Sequence, residues 1–84
     1  MSTTNSILKF AISTNGLSLS QLLNFIYFSN DHGNSQTLSV ISLISKDSSC
    51  LNLSIFENDE DNKFEFTFAF DNPSTSEKYA GFLI

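Results

Sequence analysis

Arginine is missing from this 84-residue sequence, and lysine occurs only at positions 9, 46, 63 and 78. A surface that neutralises phosphates needs several cations on one face, so direct nucleic-acid binding is disfavoured, and so is an anionic membrane surface. The single cysteine, Cys50, allows no internal disulfide, which points to a reducing, cytoplasmic setting and away from a bridge-stapled secreted scaffold. Three glycines, Gly16, Gly33 and Gly81, are too few and too scattered for a phosphate-cradling loop, which argues against a nucleotide enzyme. No run approaches the ~18 apolar residues of a membrane span. The opening MSTTNSILKFAIST has neither the basic leader nor the long apolar run expected of a signal peptide.

His32 and Cys50 are the one pair that could suggest nucleophilic chemistry, because a thiolate needs a base beside it. Nothing in their local sequence joins them. A Cys at a strand start is ordinarily a small packed hydrophobe, and a His in a turn is ordinarily solvated. Zinc normally gathers four such ligands. The expectation is therefore no enzyme, no catalytic residue, no metal and no cofactor.

What the sequence does have is KFEFTFAFD, residues 63–71, in which apolar and other residues alternate without a break. A strand here sends Phe64, Phe66, Phe68 and Phe70 to one face and Lys63, Glu65, Thr67, Ala69 and Asp71 to the other. Burying the four rings is worth roughly 1.5–3 kcal/mol each before entropy is subtracted, so the rest of the chain must cover that face. A first strand is predicted over residues 6–14, with Leu8, Phe10 and Ile12 on one side. Asn15-Gly16 then favours a tight turn, since both residues tolerate positive φ. Ser18 and Gln21 have the spacing of a capping box, flanked by Leu17 and Leu22 at the positions of a hydrophobic staple, and predict a helix over about 19–29. From Gln36 onward the pattern reads as strands: QTLSVISLISK, apolar on both faces, then CLNLSIFE, with Leu51, Leu53 and Ile55 alternating with Cys50, Asn52 and Ser54. The polar loop 58–62 joins the latter to the phenylalanine strand, completing an antiparallel meander. Asn72-Pro73 ends the ladder because proline has no N–H. Beyond it a capping-box spacing at Ser74 and Glu77 competes with the strand formers Tyr79, Phe82, Leu83 and Ile84, and the strand reading, 78–84, is preferred. The predicted fold is a single α+β domain over residues 1–84, one helix packed on a mostly antiparallel sheet in the order β-α-β-β-β-β.

The charge is unevenly placed. Residues 1–30 carry Lys9 and no acid, while residues 31–84 carry three lysines and all nine acids of a chain whose net charge is −5. Glu57, Asp59, Glu60, Asp61 and Glu65 cluster about the loop before the phenylalanine strand. They lack the residue order of a calcium-binding EF-hand loop and sit too openly for paired acid/base work. They are read as the partner-binding residues of a protein inhibitor or adaptor whose acidic C-terminal half engages a basic surface, including one that normally binds nucleic acid. In size and charge balance the chain resembles small acidic phage-encoded inhibitors, anti-CRISPR and anti-restriction proteins among them, although it shares no motif with them. The alternative expectation is a module that assembles with itself or a partner through an exposed sheet edge, for which the C-terminal GFLI segment is the candidate.

Overall fold

The computed structural model describes residues 6–83 as six elements: β1 (Ile7–Ser13), α1 (Leu19–Phe28), α2 (Gln36–Ser45), β2 (Cys50–Asn58), β3 (Lys63–Phe70) and α3 (Pro73–Leu83). The class is α+β, with three helices and a three-stranded antiparallel sheet in the order β1-β3-β2. The phenylalanine strand β3 is central. Leu8, Phe10 and Ile12 on β1 stand opposite Phe68, Phe66 and Phe64, and Leu53 and Ile55 on β2 stand opposite Phe68 and Phe66. All four Phe rings of β3 are buried, and Leu22 and Ile26 from α1, Leu38, Ile41 and Ile44 from α2 and Tyr79 from α3 close over them. The reverse face of the sheet, carrying Lys9, Ala11, Lys63, Glu65, Ser54 and Phe56, is left open.

The first third of the chain folds as its local chemistry dictates. Asn15 and Gly16 take φ of 49° and 80°, and Leu17 N–H closes the turn on the Thr14 carbonyl at 2.9 Å. The capping box forms in both directions: Gln21 N–H donates to Ser18 Oγ at 3.2 Å, and Ser18 N–H donates to Gln21 Oε1 at 2.9 Å.

Two predicted strands are helices. Residues 36–45 form α2, whose N-cap Ser35 accepts the Leu38 N–H at 3.1 Å. Leu38, Ile41 and Ile44 recur every third residue and all three are buried, so one helical face seals the phenylalanine stripe. The meander is consequently a β2–β3 hairpin with β1 on the far side of β3. Residues 73–83 form α3, with Asn72 Oδ1 accepting the Thr75 N–H at 2.9 Å and Pro73 at the first helical position, where its missing N–H costs nothing. The segment proposed as a free edge, GFLI, therefore runs on into a helix through Leu83, and its last residue, Ile84, lies outside the described residues, as do residues 1–5 of the predicted domain.

The strand at 50–58 exists but its face assignment shifts. Cys50 pairs with Phe70 and Asn52 with Ala69, so Leu51 is an extra residue in a bulge. Leu51 is 68% exposed, and Cys50 packs against the core in its place. In urea unfolding, Phe66→Ala is expected to cost about 3–5 kcal/mol and Leu51→Ala less than about 0.5 kcal/mol. Gly81 sits within α3 with open space where a Cβ would go. Gly81→Ala is accordingly expected to raise stability by about 0.5–1 kcal/mol, a gain that a strand over 78–84 would not give.

Candidate functional site

The acidic residues gather around the turn of the β2–β3 hairpin, and one asparagine organises them. Asn58, the last residue of β2, donates from Nδ2 to Asp61 Oδ2 at 3.2 Å and to Glu65 Oε2 at 3.0 Å, while its Oδ1 accepts the Asp61 N–H at 3.3 Å. Asn62 follows at φ 53°, a left-handed position that asparagine tolerates, and its carbonyl accepts the Thr14 N–H at 2.9 Å. That last bond ties the hairpin turn to the end of β1. Asp59 and Glu60 are left exposed at the tip.

The five predicted residues do not share a face. Glu65 stands opposite Ala11 and Phe56 on the open face of the sheet, whereas Glu57 stands opposite Phe64, on the side of the helices, and is half-buried. Asp61 and Glu65 are brought together by Asn58, and Asp59 and Glu60 project beyond them. Lys63, opposite both Asn58 and Ser13, puts one cation at the foot of the cluster. Asn58 was not among the residues picked out by sequence, since its role depends on the turn bringing Asp61 and Glu65 to the same amide.

His32 and Cys50 have separate roles. The His32 ring, through Nε2, lies 2.9 Å from the Phe25 carbonyl; a carbonyl only accepts, so Nε2 carries the proton. Ser42 Oγ donates to the neighbouring Ile26 carbonyl at 2.8 Å, and the two side chains together satisfy carbonyls at the end of α1 that have no helical partner. His32 is thus a half-buried cap and not the solvated turn residue expected. Burial pushes the Cys50 thiol up, which disfavours the nucleophilic thiolate. Among the described residues no group of three or more His, Cys, Asp and Glu side chains could hold a metal ion, and no helix is long and apolar enough to cross a membrane. The cleft between α2 and α3, lined by Gln36, Thr37, Ser39, Val40, Phe82 and Leu83, contains no titratable side chain.

A second polar centre lies at the other end of β2. The Tyr79 hydroxyl donates to Asp47 Oδ2, the Ser49 N–H donates to Asp47 Oδ1 at 2.8 Å, and the Asp47 N–H bonds the Ile44 carbonyl at 3.0 Å. One carboxylate thereby joins the end of α2, the start of β2 and α3. The Tyr79 hydrogen bond, then that of Ser49, holds the Asp47 carboxyl below its usual range, and the same bond to Asp47 pushes Tyr79 up to about 12. A lowered carboxyl contributes stability that is full above about pH 4 and is lost as pH falls through the folded value. A raised phenol contributes stability that is full below about pH 10 and is lost as pH climbs toward its folded value. Tyr79→Phe is therefore expected to lower the melting temperature at neutral pH, with a deficit that shrinks below about pH 4 and again between about pH 10 and 12. A deficit that stays constant from about pH 2 to 7 would show that the ionised carboxylate contributes nothing.

Comparison of the chain with protein-family models, with curated proteins and with solved structures finds no match in any of the three.

Proposed function

We propose that the protein is a non-enzymatic inhibitor or adaptor that binds another protein through its β2–β3 hairpin, offering carboxylates to a basic surface of the kind that otherwise meets nucleic-acid phosphates. The observation that carries this reading is the Asn58 amide holding Asp61 and Glu65 together beneath the exposed Asp59 and Glu60. A carboxylate array held by hydrogen bonds spends less entropy on docking than one on free side chains. Its charge would act first on the rate of encounter, steering a cationic partner toward the tip, and such steering weakens as salt screens it beyond about 10 Å at 0.1 M. The open charge balance of the chain fits the same reading: with no arginine and four lysines, it has little means of neutralising the hairpin internally.

The test is capture of partners from source-cell lysate on immobilised protein at low and high salt, with the triple variant Asp59→Asn, Glu60→Gln, Asp61→Asn as comparison. A basic partner is expected to bind at low salt, to be released by salt and to bind the variant about tenfold or more weakly, the scale of 1.4 kcal/mol. Equal binding to the variant with the same salt dependence would overturn the reading. Asn58→Ala is expected to weaken binding without removing charge, because Asp61 and Glu65 then lose their shared donor.

A further inference from the structure

We propose that the free edge of β2 pairs antiparallel with the β2 of a second copy of this chain, joining two three-stranded sheets into one of six strands. The pairing rests on backbone groups of the strand and does not need the hairpin's partner; the acids of the turn bear only on which strand is taken and in which direction.

The direction of those backbone groups follows from the ladder. Phe70 N–H bonds the Ser6 carbonyl and Thr14 N–H bonds the Asn62 carbonyl, both at 2.9 Å, so the even-numbered residues of β3 address β1. The odd-numbered residues address β2, as the 2.9 Å bond from Asp71 N–H to the Ser49 carbonyl confirms at the strand end. In an antiparallel ladder hydrogen-bonded and non-bonded pairs alternate. Asn52, Ser54, Phe56 and Asn58, the partners of Ala69, Thr67, Glu65 and Lys63, therefore face inward with their N–H and C=O. Leu53, Ile55 and Glu57 direct theirs outward, where the sheet has no further strand among the described residues. A row of donors and acceptors at this spacing is satisfied by another strand.

Between the bulge at Leu51 and the helix-side Glu57, nothing on β2 blunts that edge. It contains neither lysine nor proline, and its one charge is Glu57. The opposite edge, β1, carries Lys9 at an outward-facing position. The bulge at Leu51 confines the regular part of the strand to residues 52–58. Its midpoint is Ile55, which is also an outward-facing residue, so a two-fold axis through Ile55 pairs the whole regular segment with itself. Phe56, 63% exposed, then lies opposite Ser54 of the second copy, and Glu57 lies opposite Leu53.

Charge selects a second copy in this orientation. The turn end of β2 holds Glu57, Asp59, Glu60 and Asp61, while the Cys50 end is preceded by the exposed Lys46 and lies near Lys78, whose Nζ sits 4.8 Å from the centre of the Tyr79 ring. Asp47 at that end is already engaged by Tyr79 and Ser49, and Asp71 lies one strand further in. Antiparallel pairing sends each acidic turn past the Cys50 end of the other copy, toward Lys46, and keeps the two acidic turns at opposite ends of the joint sheet. A parallel pairing would stack them.

Sedimentation equilibrium across a concentration series, combined with amide hydrogen exchange, tests this on the full chain. The expected result is a monomer–dimer equilibrium in which the Leu53, Ile55 and Glu57 amides become protected as concentration rises, while those of Ser54 and Phe56 are protected throughout. Ser54→Lys with Phe56→Lys, both exposed on the open face, sets a lysine of each copy directly opposite a lysine of the other and is expected to weaken the dimer about tenfold or more and to leave the melting temperature of the monomer unchanged. A chain that stays monomeric at about millimolar concentration overturns the proposal, and so does a dimer in which Leu53, Ile55 and Glu57 still exchange as an open edge does. Protection of those three amides only when an unrelated extended peptide is added overturns it equally, by assigning the edge to a different occupant.

Discussion

Four phenylalanine rings leave β3 on one side, and the fold is the arrangement that keeps water from all of them. Phe66 stacks on Phe10 of β1 with ring centres 4.9 Å apart and planes 7° apart, and the row continues through Phe68 and Phe70 to Tyr79 of α3 at spacings near 6 Å (6.3, 6.2 and 5.9 Å). Strands alone cannot shield such a stripe, since β1 and β2 lie beside it and not above it. The covering layer has to come from helices, and a single ten-residue helix contributes only Leu22 and Ile26 to the buried cluster. The remaining cover is Leu38, Ile41 and Ile44 from α2 and Tyr79 from α3. A central strand that is all phenylalanine on one face thus sets the number of helices as well as the order of the strands.

Covering the stripe with short helices exposes many helix ends, and the composition answers that need. Each helix begins on a side-chain oxygen, from Ser18, Ser35 or Asn72, and α1 ends on donors supplied by Ser42 and His32. Fifteen serines and nine asparagines look in the sequence like an uncharged surface. Several are instead the caps that let helices of ten or eleven residues exist, each contributing about 0.5–2 kcal/mol. Asp47 does the same for a junction, satisfying the Ser49 N–H just before β2 and the Tyr79 hydroxyl at once.

This division explains what could be read from sequence. The phenylalanine strand, β1, the Asn15-Gly16 turn, α1 and the hairpin were all legible because each depends on neighbours within a few residues. The segment 36–45 was not, because Val40, Ile41 and Ile44 favour strands locally while the i, i+3 spacing of Leu38, Ile41 and Ile44 favours a helix, and burial against β3 decides between them. Asn72-Pro73 was rightly seen to stop a strand, but the same pair starts a helix, and only the layer above β3 selects that use. Among the acids, position was legible and direction was only partly so. Period two already puts Glu57 and Glu65 on opposite faces once their register with Phe64 is known, whereas the Asn58 bridge needs the turn itself.

The hairpin carries two different resources on one strand, and they do not compete. Its turn presents carboxylates at the end of the sheet, while its outer edge presents backbone groups along the side. A pair of chains joined at β2 would hold the two turns at opposite ends of the junction, each passing the Cys50 end of the other copy with Asp59 and Glu60 exposed at its tip. Each turn would then meet its own basic site, and two linked weak contacts hold a partner far better than either alone when their spacing matches the target. A chain this small has a limited area to offer in any single interface. Doubling through an edge that has no further strand among the described residues enlarges that area without adding a residue, and it also covers a strand edge through which the protein could aggregate.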